Sequence, residues 1–143
     1  MAEQTESSVT ILADPSAVMA VIADFEAYPD WNQEVTDAEV LSADEQGRAV
    51  EVRFVVDAGA IRDEYVLAYE WASPTLLRWH LVRAGMLTAM DGEYALTPVD
   101  DGTEVRYRLA VDLKMPMIGM IKRKAEKVIV DRALLGLKGR VEA

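Results

Sequence analysis

Five turn signals constrain this chain more than any other feature of its sequence: Asp44-Glu45-Gln46-Gly47, Asp57-Ala58-Gly59, Ser73-Pro74, Ala84-Gly85 and Asp100-Asp101-Gly102. They divide the sequence from Val35 onward into alternating segments of period two. Val50, Val52, Phe54 and Val56 alternate with Ala49, Glu51, Arg53 and Val55. Ile61, Tyr65, Leu67, Tyr69 and Trp71 alternate with Arg62, Glu64, Val66, Ala68 and Glu70, and Val105, Tyr107, Leu109 and Val111 with Glu104, Arg106, Arg108 and Ala110. One face of each run is apolar and the other mostly charged, the pattern of an antiparallel sheet wetted on one side. Connections this short join only antiparallel neighbours, so the segments form a six-stranded meander.

Helical periodicity flanks the meander. Residues 8–12 read as a short strand, after which Asp14 precedes Pro15 in the order of an N-cap and a first-turn proline. Ala17, Val18, Val21, Ile22 and Phe25 recur at helical spacing, predicting a helix from Pro15 to about Asp24, and Tyr28-Pro29-Asp30-Trp31 ends it ahead of a second short helix or turn. Met115-Pro116 opens a long helix to about Val141. Its wheel carries two apolar stripes. Ile121, Ala125, Val128 and Leu135, flanked by Ile118 and Ile129, form one; Val130, Leu134, Leu137 and Val141 form the other. So wide an apolar arc suits a helix laid across a curved sheet.

Composition narrows the chemistry. At 143 residues, 51% hydrophobic and 28% charged, the chain fits one globular domain spanning 1–143. It has no cysteine and one histidine, His80, which excludes thiolate catalysis, disulfides and multi-histidine zinc centres; no cofactor is expected. The polar start, MAEQTESSV, lacks the features of a secretory signal, and no apolar run approaches the roughly 20 residues of a membrane span. A cytoplasmic location is the resulting expectation. The net charge of −10 repels phosphate backbones and argues against nucleic-acid binding. Residues 114–127 are the exception: Lys114, Lys122, Arg123, Lys124 and Lys127 face only Glu126, so the stretch carries +4 and the rest −14. Interspersed with Met115, Met117, Ile118, Met120 and Ile121, these cations make residues 115–127 a candidate for transient contact with an anionic membrane surface. The alternative is pairing with the protein's own acids. Nothing in the pattern specifies an oligomeric state.

The order strand, two short helices, six-stranded meander and long C-terminal helix resembles the START-like superfamily. Within it, the chain is similar to the bacterial polyketide cyclase/dehydrase and lipid-transport group, including small actinobacterial members. The stretches that carry the likeness are residues 23–31 (ADFEAYPDW), Tyr69-Glu70-Trp71, residues 87–94 (LTAMDGEY), and Val111-Asp112-Leu113-Lys114-Met115-Pro116 leading into Lys122-Arg123-Lys124-Ala125-Glu126. The resemblance implies an α+β helix-grip fold. The first strand would pair with the last to make a seven-stranded antiparallel curved sheet around the C-terminal helix, with two short helices after strand 1. It also implies a cavity between sheet and helix for a bulky apolar ligand such as a lipid, isoprenoid, quinone or polyketide. Some relatives cyclise or aromatise polyketides, using cavity arginines and hydroxyl-bearing side chains that have no one-for-one match here, while others only carry their ligand.

Candidate ligand contacts follow from the strand and helix faces. Tyr65, Tyr69 and Trp71 share a strand face, with Trp79, Tyr94 and Tyr107 on later strands; these rings either line a pocket or pack an ordinary core. Met86, Met90, Met115, Met117 and Met120 gather at segments expected near one cavity end, where flexible thioethers suit a portal or fill irregular gaps. Asp63 falls on an apolar strand face and Arg132 within the helix stripe of Ile121, Ala125 and Val128. Either the two charges pair in the interior or orient a ligand head, or Asp63 lies at its strand's start while Arg132 reaches to water. With Leu77, Trp79 and Leu81 facing inward, His80 faces outward and is a weak general base, and Trp31 reads as an anchor for the turn after the first helix, with a ligand contact as the alternative. Without a nucleophile–base pair, metal set or phosphate loop, the residues favour a binding or carrier protein. A cyclase/dehydrase acting by proton transfer in the same cavity is the second reading. A third, a partner-binding module with a filled cavity as in ribosome-associated relatives, conflicts with the net acidity.

Overall fold

The computed structural model describes residues 4–59, 62–114 and 119–143. Strand β1 (Thr5–Ile11) leads into helix α1 (Pro15–Ala23) and a 3-10 helix (Phe25–Asp30). The meander follows as β2 (Val35–Ala43), β3 (Ala49–Asp57), β4 (Arg62–Ser73), β5 (Leu76–Ala84), β6 (Leu87–Val99) and β7 (Gly102–Leu113), and α2 (Gly119–Glu142) ends the chain. The expected start of the last helix at Met115-Pro116, together with Met117, Ile118 and Ile61, lies outside the described residues.

All seven strands form one antiparallel sheet in the order β1-β7-β6-β5-β4-β3-β2, so the first strand does pair with the last. β1 begins three residues earlier than the alternation suggests, because Thr5 to Ile11 pair with Leu109 to Thr103 along the edge of β7. The Asp14 carboxylate accepts the Ala17 N–H at 2.9 Å, and Pro15 occupies the first turn of α1, both as read from the sequence. On the inner face of the sheet, Phe54 stands opposite Tyr65, Tyr69 opposite Trp79, and Tyr94 opposite Tyr107. One expected inward position fails: Val50 is exposed and Ala49 is buried instead, at the irregular register where β3 opens against Ala43.

The outer face carries the charges. Arg53 donates to Asp37 at 2.6 Å, Glu39 at 3.0 Å and Glu64 at 3.1 Å, while Arg78 and Arg108 bond Glu93 and Glu6, respectively. Exposed pairs of this kind contribute little each, and they hold the strands of the wet face in register.

The helix face that meets the sheet corrects the sequence reading. α2 buries Ala125, Glu126, Val130, Ala133, Leu134 and Leu137, so the second stripe meets the core, and of the four residues of the first only Ala125 is buried. Ile121 is 50% and Leu135 66% exposed, and Val128 is only half-buried. A helix with two apolar arcs does not announce which one docks; α2 settles it by packing chiefly along β1 and β7. There Glu126, 0% exposed, accepts the Thr5 hydroxyl at 2.7 Å and the Val111 N–H at 2.9 Å. Val111 lies just beyond the β1 pairing, so the Glu126 carboxylate supplies the acceptor that β1 no longer provides.

Candidate functional site

Because α2 lies over β1 and β7, it leaves much of the concave face uncovered. The 3-10 helix packs against β2 on the other side, and a cavity remains between. Its floor is Phe54 and Val56 from β3, Tyr65, Leu67 and Tyr69 from β4, and Trp79 from β5. Met90, Tyr94, Tyr107, Leu109 and Val111 from β6 and β7 continue it, with Ile129 of α2 above. Tyr28, Asn32 and Glu34 close one end. The room open to the centre of a water molecule is about 60 Å³; the atom-free space reaches about 690 Å³ only when solvent at the mouth is included. The enclosed part therefore holds a few waters as it stands, and a larger guest must displace its walls.

The rings form a chain. Tyr107 and Tyr94 have centroids 4.7 Å apart, Tyr94 and Trp79 5.4 Å, Trp79 and Tyr69 5.7 Å, and Tyr69 and Phe25 4.6 Å. Phe25 then meets Tyr28 at 5.2 Å and Tyr28 meets Trp31 at 4.7 Å. Trp79 fits because its cross-strand partner is Gly92: a Cβ there would lie 2.1 Å from the indole. Trp31 is the anchor expected of it, with a buried ring and a backbone carbonyl against α2; a Cβ on Gly136 would come within 2.1 Å of that oxygen.

Burial pushes the phenols of Tyr28, Tyr65, Tyr69, Tyr94 and Tyr107 above the ordinary tyrosine range, so all five stay protonated. Tyr28 donates to the Ile22 carbonyl at 2.6 Å. Among the described residues, no hydrogen-bond partner takes the hydroxyls of Tyr65, Tyr69, Tyr94 and Tyr107. All four side chains line the cavity, which therefore presents four phenol groups with no partner among the described residues. Opposite them, the Glu34 side chain is only 5% exposed, and its Oε1 accepts from Arg132 Nη1 at 2.7 Å.

Of the candidate contacts, Tyr65, Tyr69, Trp79, Met90 and Tyr94 fall on the cavity wall. Met86 sits exposed in the β5–β6 turn, Ile121 is exposed, and Ala125 and Val128 lie off the cavity. Asp63 and Arg132 do not pair. The Asp63 carboxylate accepts from the backbone of Gly85 at 3.0 Å, Met86 at 2.8 Å and Leu87 at 2.9 Å, holding the β5–β6 turn. Arg132 belongs to Glu34 instead. Glu34 and Asn32 carry no signal in the sequence, since a charged and an amide residue between a turn and a strand read as solvated loop. His80 faces out, as the strand parity indicates.

A curved antiparallel sheet gripping a helix above an aromatic cavity defines a helix-grip protein of the START-like type. Residues 2–142 match the family described as polyketide cyclase / dehydrase and lipid transport, and the chain belongs to that family. The fold is similar to that of a START superfamily protein from Mycobacterium smegmatis, with a TM-score of 0.91, 24% identity and 97% of each chain covered. A protein from Thermus thermophilus superposes with a TM-score of 0.84 at 25% identity, covering 98% of this chain and 97% of that one. The ZhuI aromatase/cyclase from Streptomyces sp. R1128 does so with a TM-score of 0.78 at 18% identity, covering 99% and 94%. Among the described residues, no helix is long and apolar enough to cross a membrane.

Proposed function

We propose that this protein binds a bulky hydrophobic small molecule, of the lipid, isoprenoid, quinone or polyketide kind, in the cavity between the sheet and α2. The observation that carries the reading is the cavity itself, with its apolar and aromatic walls and four phenol hydroxyls that have no partner among the described residues. Such walls bind rings by area and contact, and hydroxyls at separate points fix orientation. Widening is the cost of binding, and α2 between Gly119 and Ile129 is lightly held: of its residues only Ala125 and Glu126 are buried, and Ile129 is the one on the cavity wall. Titration with Nile red, a neutral apolar dye, tests this. Saturable binding that Ile129→Trp weakens at least about tenfold supports the cavity; binding indifferent to that substitution removes it.

The second reading is proton-transfer catalysis of the cyclase/dehydrase type, favoured by a carboxylate and protonated phenols lining one cavity. Glu34 would take a proton from a carbon between two carbonyls while a tyrosine hydroxyl donates to the enolate oxygen. Deuterium exchange into benzoylacetone faster than in buffer, and lost in Glu34→Gln, is the expected result; exchange at the buffer rate leaves the carrier reading alone.

Contact of residues 115–127 with anionic membranes extends the carrier reading. Met120, 74% exposed, and Ile121 stand beside exposed Lys124, whereas Lys122 is engaged by Asp112 at 3.1 Å and Lys127 by Asp131 at 2.9 Å. Sedimentation with phosphatidylserine vesicles but not with phosphatidylcholine vesicles is expected; equal sedimentation with both ends the idea.

A further inference from the structure

We propose that Glu34 makes the cavity selective for uncharged ligands that carry a hydrogen-bond donor, such as a phenol, enol or alcohol, and that it excludes carboxylates and phosphates of the same size. This inference rests on the cavity being a ligand site. Glu34 lines the cavity, and its side chain keeps only 5% of its surface exposed. One oxygen, Oε1, is committed to Arg132. The other has no hydrogen-bond partner among the described residues, and it is not among the sealed side-chain atoms that lack one there, which are Trp31 Nε1 and Arg106 Nε. An acceptor with a free lone pair therefore stands in a wall of aromatic and aliphatic side chains whose other polar groups are mainly phenols.

The backbone fixes where that acceptor sits. Glu34 N–H donates to the Asn32 side chain at 3.1 Å, and the Glu34 carbonyl accepts the Asp57 N–H at 2.8 Å. Held from both sides and by Arg132 beyond, the carboxylate is placed before any ligand arrives. Such a site rewards a donor on the ligand, because an apolar guest that buries the free oxygen leaves it unpaired. It opposes an anion, because a second carboxylate would be buried against the first, and the one cation bonded to Glu34 is already committed. The four protonated tyrosines complement this with donors, which suit carbonyl or ether oxygens elsewhere on the ligand. The class defined is a neutral ring-bearing molecule with a hydroxyl at one end and acceptors along its body.

The test compares 1-naphthol with 1-naphthoate at neutral pH, where the first is uncharged and the second anionic. The native protein is expected to bind the naphthol at least about tenfold more tightly, and in Glu34→Gln the gap should close to roughly threefold or less. Equal affinities in the native protein, or an unchanged gap in Glu34→Gln, overturn the role of Glu34 while leaving the cavity reading intact. Binding of neither probe overturns both. The native comparison stands as a test by itself should the variant fail to fold.

Discussion

Glu126 and Glu34 are both buried carboxylates where α2 meets the rest of the chain, yet they are completed differently. At the β7 junction, each oxygen of Glu126 receives a neutral donor from the protein, the Thr5 hydroxyl and the Val111 N–H. At the cavity end, Glu34 has a cation on one oxygen and, among the described residues, no partner on the other. A finished hydrogen-bond set is what a structural carboxylate requires, and it leaves nothing to offer a ligand. An unfinished set that costs stability is found where something else completes it. The difference separates a carboxylate that fastens α2 to the sheet from one that lines the cavity.

The largest effect expected from this division concerns the cavity phenols. Their hydroxyls ionise near pH 10 in the unfolded chain but stay protonated when folded, since burial raises every one. Stability is therefore full below about pH 10 and falls above it, by up to about 1.4 kcal/mol per pH unit for each tyrosine. Tyrosinate absorbance should rise only together with unfolding. A folded protein with a phenol titrating near its ordinary value would show that phenol open to bulk water and contradict its burial in the cavity.

Next in size is Glu126→Ala, which strands the buried Val111 N–H and the part-buried Thr5 hydroxyl and leaves a cavity, and should lower stability by about 3 kcal/mol, or the melting temperature by roughly 10 °C. Glu34→Gln is expected to change stability by less than about 1 kcal/mol, because its second oxygen has no partner to lose. Equal losses from the two substitutions would contradict the distinction between them.

Arg132→Leu has the smallest expected effect on stability, within about 1 kcal/mol, because the Arg132 side chain is 56% exposed and its pairing is screened from that side. Its consequence should appear in binding, as a several-fold weaker affinity for 1-naphthol once Glu34 loses the contact that positions it. Raised stability with unchanged affinity would remove Arg132 from the site.

Much of this molecule is legible in its sequence, for local reasons. Alternation and turns define the strands, and inward parity alone puts Tyr65, Tyr69, Trp79 and Tyr94 on the concave face that lines the cavity. The closing of β1 onto β7 follows from the family resemblance, not from any local pattern. What local pattern cannot give is the fate of charges whose partners are distant. Glu126 stands in a basic, surface-like stretch and is buried by Thr5, 121 residues away. Glu34 is paired by Arg132, 98 residues away, whereas Asp63 on its apolar strand face holds a turn. The docking face of α2 escapes the sequence for the same reason, since both apolar arcs have helical period and only the sheet chooses between them.

The central claim is that the ligand enters the cavity instead of coating the exposed apolar residues, and the methionines supply an internal comparison. Met90 lines the cavity, whereas Met120 is exposed on α2. Carbon-13-labelled methionine methyls followed by nuclear magnetic resonance during titration with 1-naphthol should show a saturable shift of Met90 with Met120 unmoved. A shift of Met120 with Met90 unmoved would place binding on the surface and contradict the account.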